Sequence, residues 1–295
     1  MNLELRYLPA FRAVCETGSL RAAAAVMHRT EQAVSYQLKR LEERLGTTLF
    51  DRGVGRLVPN ARGKRLLDFC RDMHRDWSRV LDELDDPADR DTLLRIAAVS
   101  GFGRYVLLPM FRDGPLAEVA LRMHYPAAPQ VMRSVADGTA DLGFVHCPQP
   151  SGSLACEVIT EEELVLVAPA GVNPSPLEQL PAQSFVTYDE SDYVFATWFA
   201  QVSGTATPIL RCTAHFEELE EVLEWVADGR GLSIVPADCA AAAVADAKLA
   251  LLRWPGRRCS NAIYAVRDPA VTLPSAAETL LHLLRTREGM ALSVA

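Results

Sequence analysis

Apolar residues return at helical spacing from Leu3 through Leu5, Leu8, Phe11 and Val14, and the pattern stops at the turn signal Thr17-Gly18. Pro9 sits inside that stretch. A proline in a helix interior removes a hydrogen bond and clashes with the preceding turn, so a kink or a late helix start is expected. Ser19 is placed to cap a second helix carrying Ala22 to Met27, whose small side chains allow close packing. His28-Arg29-Thr30 interrupts it, and Thr30 is the cap expected for a third helix, Glu31 to Leu45, closed by Gly46. On that helix Ala33 or Val34, Leu38, Leu41 and Leu45 fall three or four apart and should point inward. Gln32, Ser35, Tyr36, Lys39 and Arg40 are left to solvent or a ligand.

The stretch "LFDRGVGRLVPNARGK" follows, a Gly-flanked, Arg-tipped loop that reads as a wing. From Asn60 to about Leu84 a continuous helical pattern carries an apolar stripe: Leu66, Leu67, Phe69, Cys70, Met73, Trp77, Val80, Leu81 and Leu84. The stripe has little of its own domain to cover, which makes Leu66, Phe69, Met73, Trp77, Val80 and Leu84 dimerisation candidates. The alternative is a helix packed on its own domain. "DDPADRD" then forms a polar, Pro-interrupted hinge.

Beyond the hinge, strand-like runs alternate with helical ones: "LLRIAAVS", a helix over 103–112, "EVALRMHY", a helix over 128–137, "ADLGFVH", then "FVTYDES", "ILRCTAH", "LSIVP" and "NAIYAV". That alternation predicts an α/β body with a largely parallel sheet. Pauses at 148–153 and 169–176 fit a crossing between subdomains. A return near residue 267 and a final helix over 274–288 complete a hinged pair like a solute-binding protein, with its ligand in the cleft.

Charge divides the chain at the same place. Residues 1–80 hold 15 Lys and Arg against 9 Asp and Glu, a net of +6, whereas residues 81–295 hold 15 against 29, a net of −14. A basic head on an acidic body suggests that the head meets a polyanion. At 295 residues, 49% hydrophobic and 23% charged, the chain predicts two or three globular domains. Its apolar runs fall short of a membrane span, and the start shows no signal-peptide pattern, so a cytoplasmic location without membrane partners is expected. The seven cysteines (15, 70, 147, 156, 212, 239 and 259) include no C-x-x-C pair, so neither a disulfide framework nor a metal site is indicated.

Two helices joined by a short turn, the second opening with small polar residues and continuing with basic ones, is the helix-turn-helix arrangement. Its second helix enters the major groove, and Arg52, Arg56, Arg62, Lys64 and Arg65 can reach phosphates or the minor groove. In the body, ligands of open α/β sheets sit beyond the carboxyl ends of strands. That rule selects Ser100, Gly101, Phe102, His146, Cys147, Tyr188, Glu190, Ser191, Thr213, His215 and Phe216. "SGFGRY" is the sharpest case, a strand ending at a serine and two glycines before a helix, but its third glycine is missing for a dinucleotide fingerprint. No cofactor is expected. Glu190 and Asp192 would repel a carboxylate or pair with a cationic effector, which leaves the effector's charge open. Ser100 has no G-x-S-x-G setting, and no catalytic residues are assigned.

Gly18-Ser19, Ala23-Ala24, Ala33-Val34-Ser35, Gln37, Leu41-Glu42, Leu45-Gly46, Leu49-Phe50 and Arg52 together resemble the N-terminal signature of the LysR-type transcriptional regulators. The likeness continues more weakly in "LLPMFRD", "VADGTADLGFV" and "WVADGRGLSIVP". The resemblance implies a winged helix-turn-helix (all-α with a small wing) over 1–60, a long linker helix over 61–88 and an effector-binding domain over 89–295. That last domain would be periplasmic-binding-protein-like, with two Rossmann-like subdomains, I at about 92–162 and 267–295 and II at about 163–266. It further implies double-stranded promoter DNA and a small-molecule effector as partners, and a homodimer or a tetramer of paired dimers. The DNA-binding set becomes Ser19, Thr30, Gln32, Ala33, Ser35, Tyr36, Gln37, Lys39, Arg40, Arg52 and Arg56. Tyr36 stands where the family commonly has Arg or His, and Gln32 where it has Pro or Ser, so the operator sequence should differ. A glutamine can pair bidentately with adenine, which makes Gln32 the leading candidate for base readout. Two other readings stay open: redox sensing by Cys212 beside Arg211 and near His215, and a metabolite-binding protein or enzyme with an incidental basic head. Steep salt dependence of DNA binding would separate the last from a regulator.

Overall fold

Short-range capping sets the N-terminal helices. The computed structural model describes residues 5–52, 56–85, 93–148, 154–173 and 176–291, and the chain divides into two compact units, Met1–Pro87 and Ala88–Ala295. In the first, a 3-10 turn over Leu5–Tyr7 leads into α1 (Leu8–Thr17). Pro9 therefore falls in the first turn, where its missing N–H costs no hydrogen bond, and the helix starts late as expected. Gly18 ends α1 in the left-handed conformation at φ 67°. Ser19 Oγ accepts from the Ala22 N–H at 3.4 Å and opens α2 (Leu20–Val26). Thr30 Oγ1 accepts from the Ala33 N–H at 3.2 Å and opens α3 (Glu31–Leu45), which closes at left-handed Gly46.

Phe11, Val14, Ala23, Val34, Leu38, Leu41 and Leu49 bury together between these helices. Leu45, expected inward, is instead 48% exposed, because α3 runs past the edge of so small a core. β1 (Phe50–Arg52) and β2 (Leu57–Pro59) pair antiparallel as the wing. The Leu57 N–H donates to Gly18 O at 2.9 Å, and a Cβ on Gly18 would stand 2.5 Å from Arg56 Nε. The base of the wing thus rests on the α1–α2 turn, and residue 18 needs glycine for conformation and for space.

Asn60 Oδ1 accepts from the N–H groups of Arg62 and Gly63 at 3.0 Å each, capping α4 (Ala61–Asp85). The predicted stripe on α4 splits in two. Cys70 is buried, and Leu66, Leu67 and Met73 pack against the same core as Phe11. For Leu66 and Met73, expected on a dimer face, this is the own-domain packing the sequence left as its alternative. Phe69, Trp77 and Val80 stay exposed, Trp77 at 57%. The side chain of Leu84 lies outside the described residues.

The second unit opens with β3 (Leu94–Ala98), buried throughout. A helical run follows as α5 (Ser100–Phe102), a π-helical turn over Gly103–Leu107 and α6 (Leu108–Arg112). β4 (Leu121–His124), α7 (Ala128–Ala136) and β5 (Leu142–Val145) complete a parallel three-stranded patch with β3 in the middle. β6 (Ala155–Pro169) is then a single strand of 15 residues. Next come β7 (Ser184–Tyr188), α8 (Ser191–Trp198) with a π-helical turn over Phe199–Ser203, β8 (Arg211–Phe216) and α9 (Leu219–Ala227). The chain continues through β9 (Ser233–Pro236), α10 (Ala237–Ala245), β10 (Leu249–Leu252), β11 (Ser260–Arg267) and α11 (Ser275–Ala291).

The main sheet runs β10-β6-β11-β5-β3-β4, with β9 also on β6. It is mixed rather than largely parallel, because β6 and β11 pair antiparallel with each other and with every neighbour. The crossing expected at the pauses 148–153 and 169–176 is carried by β6 itself, whose first half pairs only β11 and whose second half pairs β9 and β10. Two cores result. One gathers Ile96, Phe144, Val266 and Leu280 around β3, and the other gathers Leu166, Phe185, Trp198 and Ile234 around β6 and β9.

The stretch "TADLG", Thr139 to Gly143, holds the first core's edge. Arg95, buried on β3, meets Asp141 through Nη2 to Oδ1 at 2.7 Å and Nε to Oδ2 at 3.2 Å, and its backbone N–H donates to the same carboxylate at 2.9 Å. A buried pair broken on one side leaves an uncompensated charge. Asp141→Ala should therefore cost about 3–5 kcal/mol of unfolding free energy in urea titration. The double substitution Arg95→Met/Asp141→Leu should recover most of that loss.

Candidate nucleic-acid interface and ligand cleft

In the first unit the capped turn delivers a polar face on α3. Gln32, Ser35, Tyr36 and Lys39 are exposed, and with Leu20, Thr30 and Glu31 they line an open groove of about 750 Å³. A second groove, about 1090 Å³, continues from Ser35 and Lys39 past Gly18, Ser19 and Arg21 to Arg56 and Arg62 of the wing region. The predicted set is thereby sorted. Ser19 and Thr30 use their hydroxyl oxygens as helix caps, Ala33 and Gln37 are half-buried, and Arg40 turns back to Glu43 at 2.8 Å. Arg52 ends β1, with its side chain outside the described residues. Asn60 Nδ2 donates to Thr48 O at 3.0 Å and Glu42 accepts from the Leu49 N–H at 2.7 Å, which fixes the wing's approach to α3. Exposed Arg21 and Arg62 belong to this surface. Arg21 was passed over in the sequence because α2 reads first as an alanine packing helix.

In the second unit a cavity of about 550 Å³ opens between the two cores. Its walls are the loop 125–130 after β4, Tyr188 to Glu190 with Asp192 and Tyr193 after β7, and Glu217 to Leu219 after β8, joined by Ser100 and His146. Of the residues chosen by the strand-end rule, Ser100, His146, Tyr188 and Glu190 line it. The others do not. Phe102 is buried against Phe144, ring centroids 5.6 Å apart, and Gly101 packs beside Leu219 and Cys239. Ser191 accepts from the Tyr188 N–H at 2.6 Å and shapes the turn. Thr213 donates to the carbonyls of Phe185 and Arg230, and Phe216 packs on Trp225 at 5.4 Å. His215 faces outward with Asp189 at 3.3 Å. Cys147 and Cys212 are exposed free thiols away from the cavity wall.

Ser100 is already engaged. Its Oγ donates to Glu218 Oε2 at 2.7 Å and accepts from Arg104 Nε at 3.1 Å. Arg104 also meets Glu218 Oε1 at 3.3 Å and Glu220 at 3.9 Å, and its guanidinium lies 4.6 Å over the Tyr125 ring. A carboxylate on the β8–α9 side is thus tied to the start of the helical run after β3, across the mouth of the cavity. Tyr193 closes the floor, its hydroxyl 2.8 Å from Asn261 Oδ1 and 3.1 Å from His146 O. His146 is only 8% exposed and lies against the Tyr193 ring at 4.2 Å. Burial lowers its pKa to about 4, which keeps the imidazole neutral. Burial, with Asp189 and Glu218 adding repulsion, raises Glu190 to about 7.

Residues 88–289 match the LysR substrate binding domain, and residues 5–64 match the bacterial regulatory helix-turn-helix protein, lysR family. The HTH-type transcriptional regulator YeiE of Escherichia coli, itself uncharacterized, is 32% identical over 206 residues, 63% of this chain and 64% of YeiE. The match therefore spans a little under two thirds of that relative. Among solved structures, ArgP from Mycobacterium tuberculosis has the same fold at 20% identity with a TM-score of 0.58, covering 97% of this chain and 98% of that one. DarR of Vibrio fischeri, solved in complex with DNA, does so at 18% identity and a TM-score of 0.55, covering 97% and 99%. With both of its described units matched in sequence and the fold shared along nearly the whole chain, the protein belongs to the LysR family of transcriptional regulators.

Proposed function

We propose that this protein is a sequence-specific regulator of transcription that binds double-stranded promoter DNA in the cytoplasm and is controlled by a small molecule in the cleft of its second unit. It acts by binding rather than by catalysis. The observation that carries the proposal is the face of α3, where a capped helix start leaves Gln32, Ser35, Tyr36 and Lys39 exposed beside a wing. Those side chains sit where the second helix of a helix-turn-helix meets base edges. We further propose that exposed Phe69, Trp77 and Val80 on α4 pair with a second copy, giving a homodimer whose two heads read half-sites at a spacing set by geometry. A ligand with unequal affinity for open and closed arrangements of the cleft would then shift the population of one head spacing over another.

Gln32→Ala should weaken binding to the protein's own upstream promoter by about 1–3 kcal/mol while leaving affinity for scrambled DNA unchanged, as read by fluorescence anisotropy. Equal losses on both DNAs would remove Gln32 from base readout. Lys39→Ala should weaken both alike and lower the slope of log affinity against log salt by about 1. For the dimer face, Phe69→Asp/Trp77→Asp should shift sedimentation to the monomer and abolish tight promoter binding. A variant that stays dimeric would place the interface elsewhere.

A further inference from the structure

We infer that the cleft selects a positively charged small molecule, an amine or a guanidine, whose cation is held by the Glu190, Asp192 and Glu217 carboxylates and whose remaining polar atoms meet His146. This rests on the reading of the cleft as the effector site and adds the chemistry of what fills it. The first ground is what an anion would find there. Ser100 and Arg104, the groups suited to a carboxylate, are already taken by Glu218 of the protein itself. The cavity lining includes no Lys or Arg, while Asp189, Glu190, Asp192, Glu217 and Glu218 all contribute to it. Among the described residues, His215 reaches Asp189, but Glu190, Asp192 and Glu217 have no cationic partner. An added anion would meet repulsion from the carboxylates that follow β7 and β8. A cation would offset it.

The second ground is independent of charge. The His146 imidazole is more than nine-tenths buried, lines the cavity and stacks on Tyr193, yet among the described residues its ring nitrogens have no hydrogen-bonding partner. Those nitrogens are not sealed in the core but open to the cavity, where their partner must be found. A neutral imidazole offers one donor and one acceptor, so it is matched to a ligand atom rather than to a second charge. Burial first, and the neighbouring Asp189 and Glu218 carboxylates second, raise Glu190, and a bound cation would offset the second of these.

The test uses the full-length protein, thermal shift and calorimetric titration, with agmatine and putrescine as cations and succinate and benzoate as anions, at matched ionic strength. We expect the cations to raise the melting temperature and the anions to leave it unchanged. Asp192→Asn/Glu217→Gln should weaken cation binding by about tenfold or more, the scale of 1.4 kcal/mol. Both side chains are exposed, so this variant should fold, and His146→Leu gives a second reading on the polar contact. Stabilisation by an anion with silent cations would overturn the inference, as would no binding by either class, or cation binding that the neutralised variant retains in full. The same preparations are titrated with promoter DNA. Retained DNA binding with no cation effect counts against the charge selection alone. Cation binding without any DNA binding counts against the regulator reading and leaves the selection standing.

Discussion

β6 runs for fifteen residues through both halves of the second unit, its first half paired antiparallel with β11 and its second half with β9 and β10, and both halves are held by that one strand. Strand hydrogen bonds leave little freedom along the ladder, so each half is fixed in register with the other. The register shifts once, between Ile263 and Tyr264. An extra residue on one strand bends it and increases its twist, and here that bend falls where the two cores part. Polar groups are buried at the same level. Asn261 donates to Glu162 at 2.7 Å and faces the Tyr193 hydroxyl, which also reaches His146 O. The floor of the cleft is therefore built on the crossing strands themselves, and the lining loops are placed by what those strands allow.

Charge is distributed with the same economy. In the first unit two acidic side chains of α3 are used internally: Glu42 accepts from the Leu49 N–H, and Glu43 holds Arg40. The face with Gln32, Ser35, Tyr36 and Lys39 is left uncovered. In the second unit the sign is reversed. One carboxylate, Glu218, is spent on Ser100 and Arg104, Asp189 meets His215, and Glu190, Asp192 and Glu217 line a space without Lys or Arg in its lining. The two units thus present opposite electrostatic faces, which is the physical content of the charge split along the chain.

Local signals were legible because their causes are local. Ser19, Thr30 and Gly46 each act within three or four residues, and each cap stands where the sequence placed it. The strands β3, β5 and β9, buried at every position and mostly apolar, were equally plain. β6 was not, because it changes character midway: "ACEVITEEE" mixes exposed Cys156 to Val158 with buried Ile159, Thr160 and Glu162, while "LVLVA" is buried on both faces. Without that strand the sheet reads as parallel and the crossing is assigned to the pauses at its ends. The cleft was found by the strand-end rule but mis-registered. After β8 the wall begins at Glu217, one residue past the last selected residue, Phe216, and the loop after β4 was not considered although the same rule applies to it. Which side of a strand end faces a cavity depends on twist and on the partner subdomain, and neither is written in a short window of sequence. The α4 stripe divided for a similar reason. Whether Leu66 or Phe69 turns to the winged-helix core depends on where the helix axis lies against α1, a tertiary quantity.

The crossing strands also order the assembly of the second unit. The core around β6 and β9 is made of buried residues from Leu164 to Cys259, an unbroken stretch of chain. The core around β3 draws on Leu94 to Ile159 and then on Ile263 to Leu284, and it lacks the buried face of α11 until those last residues are available. During synthesis from the N-terminus, the later-encoded half can close first while the earlier-encoded half waits for its final helix. A truncation within α11 would then spare the inner half and expose the β3 core, so damage at the end of the chain is felt at a strand nearly two hundred residues upstream.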